Sequence, residues 1–247
     1  IRRFLEAEGV NCAALYVHPT LRTALAFCEA WPPNDFPITF YRTPTCPDWE
    51  IRDAQLPDDL GKARVLYASG TGLAREPSRA TTLAALERSR RRAIFDLDWR
   101  EVLWEDVREY PELVWRAASF SMLVVGGASE FVAAALDPRD LLKRGPEIVV
   151  VKRGPQGATV IDARGSRDIP GLAVPVVNGL GAGDAFGAAL GASLLAGLGA
   201  DEAVRRANAA GAIVASRLSC STAMPRTAEI DALLDGGSVV DGAVVAP

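Results

Sequence analysis

A glycine-rich loop that leads into a helix is the segment of this sequence best suited to chemistry. It runs from Val177 to Phe186 as Val-Asn-Gly-Leu-Gly-Ala-Gly-Asp-Ala-Phe. Glycines allow positive φ angles and let a ligand approach the backbone N–H groups. The N-terminus of the following helix adds unsatisfied donors and the positive end of its dipole. Together these features predict an anion site for a phosphate, or for the negative charge on a phosphoryl group in transfer.

Asp184 lies at the start of that helix, beside the predicted anion site. A carboxylate there can take the proton from an acceptor hydroxyl while the loop stabilises the phosphoryl oxygens. An aspartate after a turn is equally typical of an ordinary helix N-cap. The residues alone leave both interpretations open.

Two other kinds of phosphate-binding loop do not fit the sequence. A dinucleotide fingerprint, G-x-G-x-x-G, would need glycine at Asp184 if it began at Gly179, or at Phe186 if it began at Gly181. A Walker loop needs Gly-Lys followed by Ser or Thr, and the one Gly-Lys pair is followed by Ala63. Both classes of site are excluded.

The glycine loop must be positioned by a sheet, because short apolar runs alternate with helical stretches upstream of it. The predicted strands, buried on both faces, are Val65–Ala68, Ala93–Leu97, Met122–Val125 and Ile148–Val151. The predicted helices between them are Ser78–Arg90, Val102–Ala118 and Ser129–Leu136. Alternation of this kind predicts an α/β fold with a parallel sheet and helices on both faces.

The two ends of the chain differ from this pattern. Before it, a helix at Ile1–Glu8 precedes two strands, Leu21–Glu29 and Pro37–Tyr41, whose turn at Pro32-Pro33-Asn34-Asp35 predicts a hairpin that could serve as a lid. After it, turns at Gly154-Pro155-Gln156-Gly157 and Arg164-Gly165-Ser166 flank an antiparallel strand, Ala158–Ile161. The remaining predicted elements are a strand at Val174–Val177 and helices at Ala185–Leu195, Asp201–Ser216 and Ala228–Leu234.

Composition excludes several classes of function. The 247 residues carry a net charge of −4 without a basic face, which argues against binding to nucleic acid or a membrane surface. His18 is the one histidine, and the four cysteines form no CxxC pair, so a His-based zinc site or a Ser-His-Asp triad is not expected. Neither a signal peptide nor a membrane span is found in the sequence. We expect a reduced, cytoplasmic protein.

The glycine loop resembles the C-terminal signature of the PfkB, or ribokinase-like, carbohydrate kinases. Their Asp-x-Asn/Asp-x-Arg strand end is matched by Asp96-Leu97-Asp98-Trp99-Arg100, and their Lys/Thr-x-Gly-x-x-Gly segment by Lys152-Arg153-Gly154-Pro155-Gln156-Gly157. Their Asn-x-x-Glu motif falls on Gly127-Ala128-Ser129-Glu130, where Gly127 replaces the asparagine. The similarity covers essentially the whole chain.

The resemblance implies a fold for the entire sequence. That fold is a ribokinase-like three-layer α/β/α sandwich with a mainly parallel sheet and a small β lid. Residues 1–247 would form one kinase domain, with the lid hairpin at residues 20–43. The family's first strand and its substrate-binding aspartate are not found between Ile1 and Tyr41, so we expect the natural protein to extend upstream.

The resemblance also implies roles for individual residues. Gly181, Ala182 and Gly183 would form the anion hole, and Asp184 would be the catalytic base and contact the substrate. ATP would be bound by Lys152, Gly154, Gly157, Gly181, Gly183 and Asn208. Glu130 would hold Mg²⁺ through water. A monovalent cation and a homo-oligomer are further expectations.

The substrate implied by the resemblance is a sugar acid. The stretch from Gly211 to Pro225 resembles the 5-dehydro-2-deoxygluconokinases of inositol catabolism. A carboxylate calls for a guanidinium, and Arg42 and Arg100 are placed where the family binds its substrate. Kinases of 2-keto-3-deoxygluconate, fructose or ribose remain alternatives. A non-catalytic nucleotide-binding relative is another, which Gly127 favours and the intact Gly-Ala-Gly-Asp signature opposes.

Overall fold

An N-terminal hairpin forms a small sheet of its own. The computed structural model describes residues 1–32 and 35–247. After helix α1 (Arg2–Ala7), strands β1 (Leu25–Cys28) and β2 (Ile38–Tyr41) pair antiparallel. Both strands were expected, although the structure makes β1 shorter than the prediction. The predicted turn includes Pro33 and Asn34, which lie outside the described residues.

The central sheet has six strands that lie side by side in the order of the chain. Their bounds are β3 (Leu66–Ser69), β4 (Ala93–Asp96), β5 (Leu123–Gly127), β6 (Ile148–Lys152), β7 (Ala158–Asp162) and β8 (Gly165–Ile169). The first four run parallel, and β7 and β8 return antiparallel. The four predicted parallel strands and the antiparallel strand after them are confirmed. The second predicted turn is shorter than expected, since β8 already begins at Gly165.

Helices cover both faces of this sheet. They are α2 (Ser78–Arg88), α3 (Tyr110–Ser119), α4 (Ala128–Ala133), α5 (Pro138–Leu141), α6 (Ala182–Leu195), α7 (Ala200–Ala215) and α8 (Thr227–Leu234). Successive residues of a strand point to opposite faces, so Phe95 packs with Leu86 of α2 while Ile94 belongs to a second core with Leu190 of α6. The two cores on either side of one sheet give the predicted three-layer α/β/α architecture, which is confirmed.

The predicted helix Val102–Ala118 is wrong in its first half, where two short 3-10 turns precede α3. The Asp106 carboxylate accepts a hydrogen bond from the N–H of Arg108 at 3.0 Å, which favours a turn over a continuing helix. Pro111 then lies in the first turn of α3, where its missing N–H costs nothing. The helix therefore starts only after the turn.

The predicted strand Val174–Val177 is also wrong, because the segment is irregular. Pro175 has no N–H to give to a ladder, and the N–H of Val177 donates instead to the carbonyl of Ala215 at 2.8 Å. A further hairpin, β9 (Ser238–Val240) and β10 (Ala243–Val245), goes beyond the predicted elements. Across residues 1–32 and 35–247, none of the helices is long and apolar enough to cross a bilayer.

Candidate active site

The glycine loop is fixed by the side chain of Asn178, which is buried. Its Oδ1 accepts a hydrogen bond from the N–H of Leu180 (3.0 Å), and its Nδ2 donates to the carbonyl of Leu218 (2.7 Å). Gly181 then takes a φ of 86°, in the left-handed region that disfavours a side chain. The chain turns into α6 at Ala182, earlier than predicted. The start of α6 presents the N–H groups that a first helical turn leaves without intrahelical partners.

Asp184 is the third residue of α6 and lies among other charged side chains. Asp184 is exposed to solvent, yet the protein around its carboxylate removes part of the solvent shell. This desolvation is the largest cause that raises the pKa of its carboxyl, and Asp98 and Asp96 raise it further. Lys152 and Arg100 act in the opposite direction. Asp184 is therefore a better proton acceptor than an isolated aspartate.

Asp96, at the carboxyl end of β4, is buried between two partners. The Nζ of Lys152, from the end of β6, lies 3.2 Å from its Oδ1 and 3.3 Å from its Oδ2. The hydroxyl of Tyr67, on β3, donates to Oδ2 at 2.9 Å. Asp96 and Lys152 meet because parallel strands end at the same edge of a sheet, and Tyr67 reaches this edge with its long side chain from the second position of β3. Lys152 Nζ is also close to the start of α6, 3.8 Å from the position that a Cβ on Gly183 would take.

Asp98 and Arg100 follow the same strand. Asp98 has a φ of 37°, and its carboxylate accepts a hydrogen bond from the hydroxyl of Thr71. Arg100 Nη2 lies 3.1 Å from Asp98 Oδ1, and its Nη1 lies 3.5 Å from Glu130 Oε1. The carboxylates of Asp98 and Glu130 therefore orient the guanidinium of Arg100, which the sequence analysis expects to bind the substrate.

Glu130 caps the start of α4. Its Oε2 accepts the N–H of Gly127 at 2.6 Å, and its Oε1 accepts the N–H of Trp99 at 3.2 Å. Burial is the main cause that raises the pKa of Glu130, and Lys152 opposes it. Oε2 keeps a further lone pair, so the carboxylate can accept a hydrogen bond from a metal-bound water. Within the described part of the chain, no three His, Cys, Asp or Glu side chains are grouped as direct metal ligands. The donor set fits the indirect role that the sequence predicts.

A cavity of about 480 Å³ lies beside the start of α6. Its lining is largely apolar: Phe36, Lys152, Gly154, Pro155, Gly157, Gly171, Leu172, Ala173, Val174, Val176, Gly179, Ala182, Gly183, Phe186, Asn208, Gly211, Ala212 and Ala215. Asn208 donates through Nδ2 to the carbonyls of Ile169 (3.2 Å) and Pro170 (3.0 Å), and so holds the loop after β8 in place. An apolar cavity of this size with a few fixed polar groups suits a planar organic ligand.

The predicted nucleotide residues gather at this cavity. Lys152, Gly154, Gly157, Gly183 and Asn208 line it. Gly181, the sixth, lies at the helix start next to the lining residue Ala182.

Arg42 is held by a different set of partners. Its Nη1 lies 2.7 Å from Asp48 Oδ2, and its guanidinium lies over the ring of Trp49, 4.7 Å from the centroid. It lines a second cavity of about 390 Å³ together with Leu103, which follows Arg100 closely in the chain. The two predicted substrate arginines thus have separate partners in the structure.

The structure adds four polar side chains that the sequence analysis did not name as site residues: Tyr67, Thr71, Asp96 and Asp98. The two aspartates belong to the Asp-x-Asp-x-Arg pattern at the end of a strand, a signal that could have found them. No sequence signal marks Tyr67 or Thr71. Their positions depend on the pairing of β3 with β4.

Comparison with known sequences identifies relatives over nearly the whole chain. A family model described as pfkB family carbohydrate kinase matches residues 1–227. The 5-dehydro-2-deoxygluconokinase of Halalkalibacterium halodurans is 30% identical over an alignment of 258 positions. The alignment covers 95% of this chain and 75% of that enzyme. The 5-dehydro-2-deoxygluconokinase of Bacillus anthracis is 31% identical over 229 residues, 86% of this chain and 69% of the relative.

Solved structures share the fold described above. The aminoimidazole riboside kinase from Salmonella enterica has a TM-score of 0.79 and 25% identity, covering 95% of this chain and 80% of its own. A fructokinase double mutant from Vibrio cholerae O395 was solved with fructose, ADP and potassium ion bound. It has a TM-score of 0.83 and 26% identity, and the match covers 94% of this chain and 79% of the fructokinase. The match of sequence family and fold leads to one conclusion: this chain belongs to the pfkB family of carbohydrate kinases, phosphotransferases that act on a sugar hydroxyl.

Proposed function

We propose that this kinase transfers the γ-phosphoryl group of ATP to 5-dehydro-2-deoxygluconate, at its terminal 6-hydroxyl. The observation that carries the proposal is the position of Asp184, at a helix start that also borders the 480 Å³ cavity. The curated relatives named 5-dehydro-2-deoxygluconokinase, at 30% identity, support this substrate over other sugars.

The cavity would hold the adenine and ribose of ATP. Its apolar walls suit a nucleobase, and Lys152 supplies a cation at the side that meets α6. Gly181, Ala182 and Gly183 would form the anion hole, since a helix start stabilises negative charge on phosphoryl oxygens. The phosphate chain would therefore extend from the cavity towards Asp184.

Asp184 would act as the general base. It takes the proton from the sugar hydroxyl as that oxygen bonds to the γ-phosphorus, the bond to the β-phosphate oxygen breaks, and ADP leaves. General-base catalysis contributes on the order of 10²–10⁴-fold to the rate. A raised pKa makes the Asp184 carboxylate more suited to this step, because it binds the proton more strongly.

Glu130 would hold Mg²⁺ through water, and the bound ion would neutralise charge on the phosphates. A monovalent cation is a further expected requirement, supported by the potassium ion in the Vibrio cholerae fructokinase structure.

The carboxylate of the substrate would be recognised by Arg100, which Asp98 and Glu130 orient, and by Arg42 from the hairpin. Guanidinium groups bind carboxylates with charge-assisted hydrogen bonds. Replacing either arginine by leucine should therefore raise KM for the sugar acid more than KM for a neutral sugar.

The test is a panel of sugars assayed by ADP release, with 5-dehydro-2-deoxygluconate, 2-keto-3-deoxygluconate, fructose and ribose. We expect the highest kcat/KM for the first. Arg139→Leu, at an exposed arginine on α5, is the control for loss of a surface charge. Preferred turnover of fructose or ribose, or equal KM changes for acid and neutral sugars in the arginine variants, would contradict the proposed substrate. No ADP release with any sugar would favour a non-catalytic relative.

A further inference from the structure

The hydroxyl of Tyr67 contacts the active site although the residue lies on an outer strand of the sheet. Strand β3 is at one end of the six-stranded order, and Tyr67 is 43% exposed. Its hydroxyl nevertheless donates a hydrogen bond of 2.9 Å to Oδ2 of Asp96, which is 7% exposed.

Gly187, on the helix that carries Asp184, leaves the space that this hydroxyl occupies. A Cβ on Gly187 would stand 2.1 Å from the oxygen of Tyr67 and 2.8 Å from its Cζ. Any larger residue at this position would displace the phenol. The absence of a side chain at Gly187 therefore allows the Tyr67 hydroxyl to occupy this position.

Asp96 connects Tyr67 to Lys152. Its two oxygens lie 3.2 and 3.3 Å from Lys152 Nζ, and Oδ2 also accepts the tyrosine hydroxyl. Desolvation and the Asp96 carboxylate raise the pKa of Tyr67, which therefore remains an O–H donor. Donation to Oδ2 fixes the rotation of the carboxylate and reduces the charge that it can direct at the ammonium.

We propose that Tyr67 is a positioning residue, which through Asp96 keeps the Lys152 ammonium available to the phosphates of ATP at the start of α6. This inference rests on the proposed role of Lys152 in nucleotide binding. Without the tyrosine hydroxyl, Asp96 compensates by holding Lys152 more strongly. The ammonium is then drawn away from the transferring phosphoryl group.

The experiment is a double-mutant cycle on Tyr67→Phe and Lys152→Met. Tyr67→Phe should lower kcat about tenfold, the effect expected for one hydrogen bond to a charged group. KM for the sugar should stay unchanged, and the thermal midpoint should fall only by what the loss of one hydrogen bond costs, since phenylalanine keeps the ring. Lys152→Met should lower kcat further, and adding Tyr67→Phe to it should have no additional effect, because no ammonium is left to position.

Gly187→Ala provides a second variant that leaves the tyrosine in the chain. It should reproduce the loss of kcat by displacing the hydroxyl. The matched control is Gly191→Ala on the same helix, where the added Cβ would lie 3.5 Å from Ile94 Cδ1, an ordinary contact. This control should keep wild-type turnover.

The outcomes separate the two proposals. Wild-type kcat in Lys152→Met would overturn the proposed role of Lys152 and the inference with it. An impaired Lys152→Met with a normal Tyr67→Phe, or losses that multiply in the double variant, would overturn the inference about Tyr67 alone.

Discussion

The thiol of Cys220 lies directly against the backbone of Gly181, at the start of α6. A Cβ on Gly181 would stand 2.5 Å from the sulfur, closer than real atoms approach. The φ of 86° at Gly181 disfavours a side chain independently of this contact. The segment around Cys220 therefore packs directly against the glycine loop.

Substitution of these two residues should have opposite results. Cys220→Ala should keep kcat within about threefold of wild type, because phosphoryl transfer uses no thiol and alanine keeps the Cβ that lies beside Gly181. Desolvation also raises the pKa of the Cys220 thiol, which keeps it protonated. Gly181→Ala should lose most of its turnover, since the loop must move. Steady-state kinetics with ATP measure both, and a large loss in Cys220→Ala would give the thiol a role.

Asp184→Asn should remove most turnover while leaving the fold and ATP binding in place. The amide keeps the shape and deletes the base, so kcat should fall on the order of 10²–10⁴-fold. Calorimetric titration of ATP would check binding. Asp201→Asn is the control, because Asp201 also lies in the first turn of a helix but pairs with Arg167 on β8. Near-normal kcat in Asp184→Asn would rule out the base.

The pH dependence of kcat/KM should follow the raised pKa of Asp184. The base works when deprotonated, so activity is lost as pH falls through its pKa. Because that pKa is raised, the acidic limb should lie above the value of about 3.9 for an ordinary aspartate. A profile of kcat/KM against pH, measured from about pH 4 upwards, locates the acidic limb and reports the pKa of the free enzyme. A rate that stays constant down to that pH would contradict the assignment.

Gly157→Ala should destabilise the protein more than Gly154→Ala. Gly157 has a φ of 89°, and its Cβ would stand 2.1 Å from the carbonyl oxygen of Ile169. We expect the free energy of unfolding to fall by about 2–4 kcal/mol. Gly154 has a φ of 57° and no atom within 4 Å of an added Cβ, so strain alone should cost about 1–2 kcal/mol. Denaturant unfolding measures both, and equal losses would show that the clash at Gly157 is relieved.

Local pattern was sufficient to predict much of the central sheet. The run Ala93–Leu97 is apolar up to a polar strand end, and the structure buries β4 completely on both faces. The glycine loop before Asp184 could likewise be assigned to a helix start, since glycines and an acidic first turn are local signals.

Contacts between distant parts of the chain could not be predicted in this way. Tyr67 and Asp96 are 29 residues apart and meet only through the pairing of β3 with β4. Val174–Val177 has the composition of a strand, yet Pro175 and the contact of Val177 with α7 keep it out of the sheet. Pro175 is a local signal against a strand, whereas the pairing of β3 with β4 leaves no local signal at Tyr67.

The order of the central sheet has a consequence for how the chain folds. Each strand from β4 to β8 pairs with the strand that precedes it in the chain, so every addition extends an edge that is already formed. Sequential pairing of this kind allows the sheet to grow from its N-terminal strands as the chain leaves the ribosome. Helices α6 and α7 must instead return to strands made much earlier, as the shared core of Ile94 and Ile213 shows. The helix that carries Asp184, the proposed catalytic base, thus packs on strands that precede it in the chain, and the proposed site is complete only once α6 has been synthesised.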